Sequence, residues 1–337
     1  MRTKQQQYGY SRWCLRHASW KFRDWKVWLI LVPFLLCYRL YLAVLTSKAE
    51  IAIPAAPLMV VAPAFYDDTN PNNQDVRYAL GLESCRQAAK HGVRLLIIDA
   101  SPDHDTVSQS LTKAGTDRHG KSWVHVMKQT SRGKKGAALK EAIAMARQQL
   151  KRQFPRALEQ DTYIAIQEPE KFDVFRFWNE MTSHMTTIST DILVPHRKDE
   201  SFHSTYPIEQ YHSEQFANLY LDTLGQKVGF PSIDWTFGPI AFRTSLAPHW
   251  LSYDEGDTWD VQIVPMIRAW KELEKKKTGS VGSYTIDYHH PAKQKQQEEG
   301  VSKWGEKRLF QLGVLFEKVG GELKKQGKVP VLYRMTD

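Results

Sequence analysis

Cysteine is scarce in this 337-residue chain: there are three, Cys14, Cys37 and Cys85, and only Cys85 lies beyond residue 45. That excludes a disulfide framework and a cysteine-rich zinc site from the bulk of the chain. No Asn-x-Ser/Thr acceptor occurs, so no glycosylation sequence marks passage through a secretory compartment. There are no internal repeats. Charge of one sign is also short once its position is considered. The formal net charge is +9, but residues 1–26 hold seven Lys/Arg against one acid, and Arg39 adds another base, which leaves about +2 for 46–337. A surplus that small, outside a basic tail, argues against nucleic-acid binding. What the chain does have is 42% hydrophobic and 12% aromatic residues, enough for one large domain or two small ones.

One long apolar run exists, Val27–Leu45, nineteen residues interrupted by Pro33 and Arg39. It approaches the roughly 20 residues that a helix needs to cross a bilayer. Arg39 is near enough to the distal end to snorkel, and Trp13, Trp20, Trp25, Trp28, Tyr38 and Tyr41 suit an interfacial belt. The spacing therefore predicts a basic cytoplasmic tail at 1–26, a transmembrane signal anchor at 27–45 and a stem at 46–57. By the positive-inside rule the remainder is lumenal, as in a single-pass type II protein of the endoplasmic reticulum or Golgi. A buried hydrophobic helix is the competing assignment for the same run.

From Leu58 onward apolar runs alternate with helical patterns. Strands are predicted at 58–65, 93–103, 123–127, 163–166, 191–196 and 283–290. Helices are predicted up to about His91 and over 105–114, 136–153, 174–187, 208–224, 257–274 and 303–325. Residues 228–242 and 291–300 read as loops. In the last helix Trp304, Leu312, Leu315, Phe316, Val319 and Leu323 form an apolar stripe of the kind that packs in a core. Such alternation predicts an α/β fold, a mostly parallel central sheet flanked by helices with ligands at the carboxyl ends of its strands.

The most informative stretch is Tyr163–Lys171, YIAIQEPEK. In extended chain, residues two apart point to the same side, and Pro169 favours extended geometry at Glu168. Glu168 and Glu170 are thus predicted to share a side, and hard oxygen ligands of this kind suit Mg²⁺ or Mn²⁺. Taken alone, an acidic strand end of this kind is more often a solvated turn than a metal site. Ser131–Leu139, SRGKKGAAL, pairs glycines with Arg132, Lys134 and Lys135 ahead of a helix, a pattern suited to phosphate. A formal Walker A match at Gly115–Ser122 has the wrong context, because a helix precedes it and a strand follows it. Asp67, Asp68, Asp99 and Asp103 fall at strand ends, with Asp99 suited to a base or ribose and Asp103 to capping. Asp254, Glu255, Asp257 and Asp260 gather before a helix, where capping is the default and a general base the alternative. His289 and His290 end a strand and offer imidazole.

In their order along the chain these features resemble the GT-A fold of nucleotide-diphospho-sugar glycosyltransferases, in particular the family-2-like group. The similarity spans roughly 58–290 and implies a catalytic domain at 58–337. It implies that Pro63, Ala64 and Asp67 wrap the nucleobase, that Asp99 binds base or ribose, and that Arg132 and Lys134 lie near the diphosphate. Glu168 and Glu170 stand where the family carries the DxD that binds Mn²⁺ or Mg²⁺, with His290 completing the metal site. Asp257 stands at the position of the catalytic base, with Glu255 and Asp260 as rivals, since Gly256 replaces the Glu that precedes it in inverting members. Trp235, Phe237 and Gly238 would line the acceptor side. The implied activity is sugar transfer from a nucleotide-diphosphate sugar to the hydroxyl of a carbohydrate, lipid or protein acceptor. A catalytically silent carbohydrate-binding or partner subunit is the alternative. A sugar nucleotidyltransferase lacks support, since no Gly-rich signature follows the first strand.

Overall fold

Leu58–Ala64 (β1), Arg94–Asp99 (β2), Val124–Lys128 (β3) and Tyr163–Ile166 (β4) form strands where apolar runs predict them. This computed structural model describes residues 56–67, 76–131 and 134–325, all within the unit Pro54–Asp337. The basic tail, the candidate anchor, most of the stem, Asp68 and Arg132 lie outside the described residues. Among the described residues no helix is long and apolar enough to cross a membrane.

The strands are apolar along their whole length because both faces of the sheet are covered. Met59, Val61, Leu96, Ile98, Ile164 and Ile166 point into one core, while Val60, Ala62, Leu95, Ile97, Tyr163 and Ala165 point into the other. Helices Val76–His91 (α1), His104–Ala114 (α2) and Trp178–Thr187 (α4) close the second core. The first core is closed by Lys135–Gln153 (α3), Ile208–Val228 (α6), Ala247–Leu251 (α7), Asp260–Lys276 (α8) and Ser302–Lys324 (α10). Between them run Ile192–Arg197 (β5), Asp199–Thr205 (α5), Ile240–Arg243 (β6), Val281–Ile286 (β7) and Ala292–Glu298 (α9).

The seven strands lie in the order β3-β2-β1-β4-β6-β5-β7. Strand β1 pairs parallel with β2 and β4, β2 with β3, and β5 with β7. Only β6 is reversed, antiparallel to both β4 and β5. The α/β expectation of a mostly parallel sheet flanked by helices therefore holds. Two predicted loops carry elements instead. The 228–242 stretch ends in β6, a strand of four residues, too short for its alternation to register. The charged 291–300 stretch holds α9, a seven-residue helix. The Gly115–Ser122 stretch is a turn closed by a bridge between Thr116 and Ser122, so it opens no helix.

The sheet is anchored to α7 by Trp250, which is wholly buried and stacks on Phe242 of β6 at 3.8 Å between ring centroids and 8° between planes. Trp250→Ala is expected to cost about 3–5 kcal/mol in denaturant unfolding, through lost transfer energy and the cavity left behind. Phe216→Ser, at a residue 64% exposed, is expected to change stability by no more than about 0.5 kcal/mol.

Candidate active site

From β1 the chain steps outward through β2 and β3, then returns to place β4 on the other side of β1. The gap between the carboxyl ends of β1 and β4 is therefore the topological switch point, where open α/β sheets bind ligands. The QEPEK turn leaves β4 there. A cavity of about 150 Å³ opens at this edge. Its walls come from Glu168, Glu170 and Lys171 after β4, Tyr288 and His290 after β7, Tyr206, Gln210 and Glu214 around the start of α6, and Trp304, Lys307 and Arg308 on α10.

The turn is pinned from several directions. The Gln167 side chain accepts from Trp178 Nε1 at 2.6 Å and donates to the Lys171 carbonyl at 2.9 Å. Lys171 N donates to the Glu168 carbonyl at 3.1 Å, and Ser84 Oγ donates to the Pro169 carbonyl. The Glu168 carboxylate is gripped by two ammonium groups, Lys135 Nζ on Oε1 at 2.9 Å and Lys171 Nζ on Oε2. Burial opposes its ionisation, but Lys135 and Lys171 outweigh burial and hold its pKa down to about 2. Lys135 Nζ also sits 3.4 Å from the centroid of the Trp259 ring. Gly238, at φ +101°, lets the backbone pass close to this carboxylate, since a Cβ there would lie 3.3 Å from Glu168 Oε2.

Glu170 faces the same cavity and makes no ion pair among the described residues. Burial, and then the Glu168 charge, raise its pKa, against a smaller lowering from Arg77 and Lys171. His290 is buried, and burial followed by the charges of Lys171 and Arg197 pushes its pKa down to about 3. Both oxygens of Glu168 are thus committed to lysines where a divalent cation was expected. Among the described residues no three His, Cys, Asp or Glu side chains are grouped to hold a metal. With both Glu168 oxygens on lysines, the expected Glu168–Glu170–His290 donor set as arranged here does not fit Mn²⁺ or Mg²⁺.

The remaining sequence candidates fall in different places. Asp257 is a cap contributed from far along the chain: Oδ2 accepts from Lys134 N at 2.6 Å, Oδ1 from Ala137 N at 2.7 Å, and its carbonyl from Gly136 N at 3.2 Å. The α3 N-terminus expected to meet a diphosphate thus holds the chain's own carboxylate. Gly136 is required there, because a Cβ would come within 2.8 Å of Asp257 Oδ1. Lys134 contributes its backbone N–H to this cap, and its side chain is exposed. Glu255 pairs with Arg268 at 2.6 Å, outside the cavity wall. Asp260 is buried, accepting from Tyr253 at 2.7 Å and from Thr258. Neither Asp257 nor Glu255 is presented as a base.

Asp99 is also committed internally, to Ser101 N at 3.0 Å and His104 Nδ1 at 2.8 Å, which leaves it wholly buried. Ser101 in turn accepts from Tyr66 N, so Asp99 organises the loop after β1. Pro63 and Ala64 end β1 as β-sheet residues and Asp67 is exposed beyond them, at the switch-point edge but outside the cavity wall. Asp103 caps α2, as expected, accepting from Thr106 N. Trp235 and Phe237 are buried core residues, and Thr236 between them faces the cavity. Leu312 and Leu315 are buried in the first core, as expected, and together with the half-buried Trp304 they also border the cavity.

Residues with no motif complete the site. Arg197, at the end of β5, is buried and forks onto Asp234 at 2.7 and 2.8 Å while reaching Glu214 at 2.6 Å. This hub fixes Glu214 and Thr236 in the cavity wall. Among the described residues, Tyr206 Oη, Gln210 Oε1 and His290 Nε2 are buried cavity-wall atoms without a hydrogen-bond partner. Lys307 makes no ion pair among the described residues and lies 4.6 Å from the Trp304 ring centroid. The protein around its ammonium lowers its pKa, against the raising effect of Glu168 and Glu170.

No protein-family description matches this chain, and no curated protein does. Among solved structures, CMP:2-keto-3-deoxy-manno-octonic acid synthetase complexed with CTP matches at a TM-score of 0.33 and 11% sequence identity, covering 70% of this chain and 92% of that one. A likeness at that level says nothing about the chemistry of this chain.

The hub generates a pH prediction. Burial opposes ionisation of Asp234, but Arg197 holds its pKa down to about 2, below the ordinary 3.8. A depressed carboxylate contributes stability above its unfolded pKa and loses it as pH falls through the folded value. Stability is therefore expected to decline from about pH 4 to about pH 2 in chemical denaturation. Asp234→Asn is expected to flatten that decline and to cost about 3 kcal/mol at neutral pH, because Arg197 loses its forked partner.

Proposed function

We propose that this protein is a glycosyltransferase that takes a sugar from a nucleotide-diphosphate donor and passes it to an acceptor hydroxyl. The observation that carries the proposal is the set of three buried polar atoms, on Tyr206, Gln210 and His290, that have no partner among the described residues and lie in a cavity lined by the turns after β4 and β7. Buried polar groups in folded proteins are almost always paired, so a cluster of three in one wall calls for a ligand rich in hydroxyls. Trp259 and Trp304 in the same wall suit the faces of a sugar ring, and Lys171 and Lys307 suit a diphosphate.

In the transfer, an acceptor oxygen forms a bond to the anomeric carbon while the bond from that carbon to the diphosphate oxygen breaks. The leaving diphosphate keeps the electron pair, and cationic side chains offset the charge that develops on it. The acceptor hydroxyl loses its proton to a carboxylate. Glu170 is assigned that role in place of Asp257 and Glu255, because it is the acidic residue of the turn left outside ion pairs. The proposal includes a type II anchor at Val27–Leu45 in an endoplasmic reticulum or Golgi membrane. It is supported by the length of that apolar run and the seven bases before it.

A silent binding subunit has one observation in its favour, the commitment of both Asp257 and Glu255 to structural bonds. The two readings separate when full-length protein in detergent is titrated with a panel of nucleoside-diphosphate sugars, and donor hydrolysis is followed alongside. Tyr206→Phe and Gln210→Leu are each expected to weaken binding of the preferred sugar donor by about 3–10-fold, the equivalent of one hydrogen bond, and to leave binding of the sugar-free nucleoside diphosphate unchanged. Binding with no turnover toward any acceptor would favour the silent subunit. Absence of nucleotide binding altogether would end the enzyme reading.

A further inference from the structure

Where a divalent cation would sit between two acids and a diphosphate, the structure has a lysine–glutamate–lysine cluster. Lys135 comes from the first turn of α3 and Lys171 from the turn after β4, and both converge on Glu168. Two ammonium groups carry the same formal charge as one divalent ion, and with a single carboxylate between them the cluster keeps a net +1. Two glutamates around a divalent ion would be neutral. At the α3 N-terminus the backbone donors of Lys134 and Ala137 are already taken by Asp257. The cations that line the cavity are side chains. Lys171 and Lys307 both line the cavity, and Lys307 has no carboxylate partner among the described residues.

Resting on the nucleotide-sugar proposal above, we infer that the donor diphosphate is held without a divalent cation, by Lys171 and Lys307 with Lys135 behind them, and that Glu168 positions the two lysines instead of ligating metal. Lysine is a point charge with three donors, so an ammonium already bonded to Glu168 keeps two N–H groups for phosphate oxygens. The pair is preformed, because Glu168 and the Trp259 ring hold Lys135 while Glu168 and the pinned turn hold Lys171. Preorganised cations pay little reorganisation when charge moves onto the leaving group.

The test uses full-length protein in detergent, titrated calorimetrically with ADP, CDP, GDP and UDP, once in EDTA and once in excess Mn²⁺. The preferred diphosphate is expected to bind within about twofold under the two conditions and to weaken as salt is raised. Lys307→Ala, at an open position that leaves folding intact, is expected to weaken binding about 10-fold in EDTA, and Lys171→Ala by at least as much. Because Lys171 is packed against Glu168, Lys135→Gln with a circular-dichroism melt provides a second probe of the cluster. Glu168→Gln is expected to retain diphosphate binding in EDTA, whereas a metal ligand would lose it. Binding that requires Mn²⁺, or that is indifferent to all three lysines, would overturn the metal-free site and leave the donor proposal standing. No diphosphate binding in either buffer would overturn both.

Discussion

Leu58–Val61 of β1 runs parallel to and in register with Tyr163–Ile166 of β4, and the rest of the site depends on that pairing. It brings together two segments about a hundred residues apart and leaves the switch-point edge open beside them. The hydrogen bond from Gln167 N to the Val61 carbonyl extends the pairing one residue past β4. Beyond that residue the chain has to turn, and the turn carries Glu168, Glu170 and Lys171 into the cavity. A register slip of one residue would send the apolar residues of β4 to the wrong faces and the turn away from the lysine of α3.

Charge in this site is arranged by long-range partners, not by local spacing. Glu168 and Glu170 sit two apart in sequence yet experience opposite fields. Glu168 is held ionised by two ammonium groups, and Glu170 is driven toward its neutral form by burial and by its neighbour. Arg197 plays the matching role on the far wall, where a buried guanidinium is affordable only because Asp234 and Glu214 meet it with near-ideal geometry. The two clusters leave Glu170, Lys307 and the orphaned atoms of Tyr206, Gln210 and His290 as the groups with unspent bonding capacity.

Much of the architecture was legible in the order of residues. Runs such as VRLLIID and YIAI announced strands covered on both faces, because a parallel sheet wrapped by helices has no polar face to show. The QEPEK turn was legible as a site because its acids follow such a strand directly. The errors have one cause. Asp257 looked like a base in a helix start, but it bonds to backbone N–H groups at Lys134 and Ala137, more than a hundred residues earlier. Trp304 looked like a core residue, as Leu312 and Leu315 are, because amphipathic spacing identifies an apolar face and is silent on whether each position meets packed side chains or a cavity.

The sequence by itself determined the class of fold, the strands that build it and the turn on which its chemistry centres, since these follow from periodicity and from backbone preferences within a few residues. Tertiary structure alone decided what each acid does. A carboxylate's role is set by the charges within a few ångströms of it, and here those charges arrive from other elements: Lys135 from α3 to Glu168, Arg197 from β5 to Asp234, and the α3 N-terminus to Asp257. Spacing along the chain places two glutamates on one side of a strand end. It carries no information about the two lysines that meet one of them.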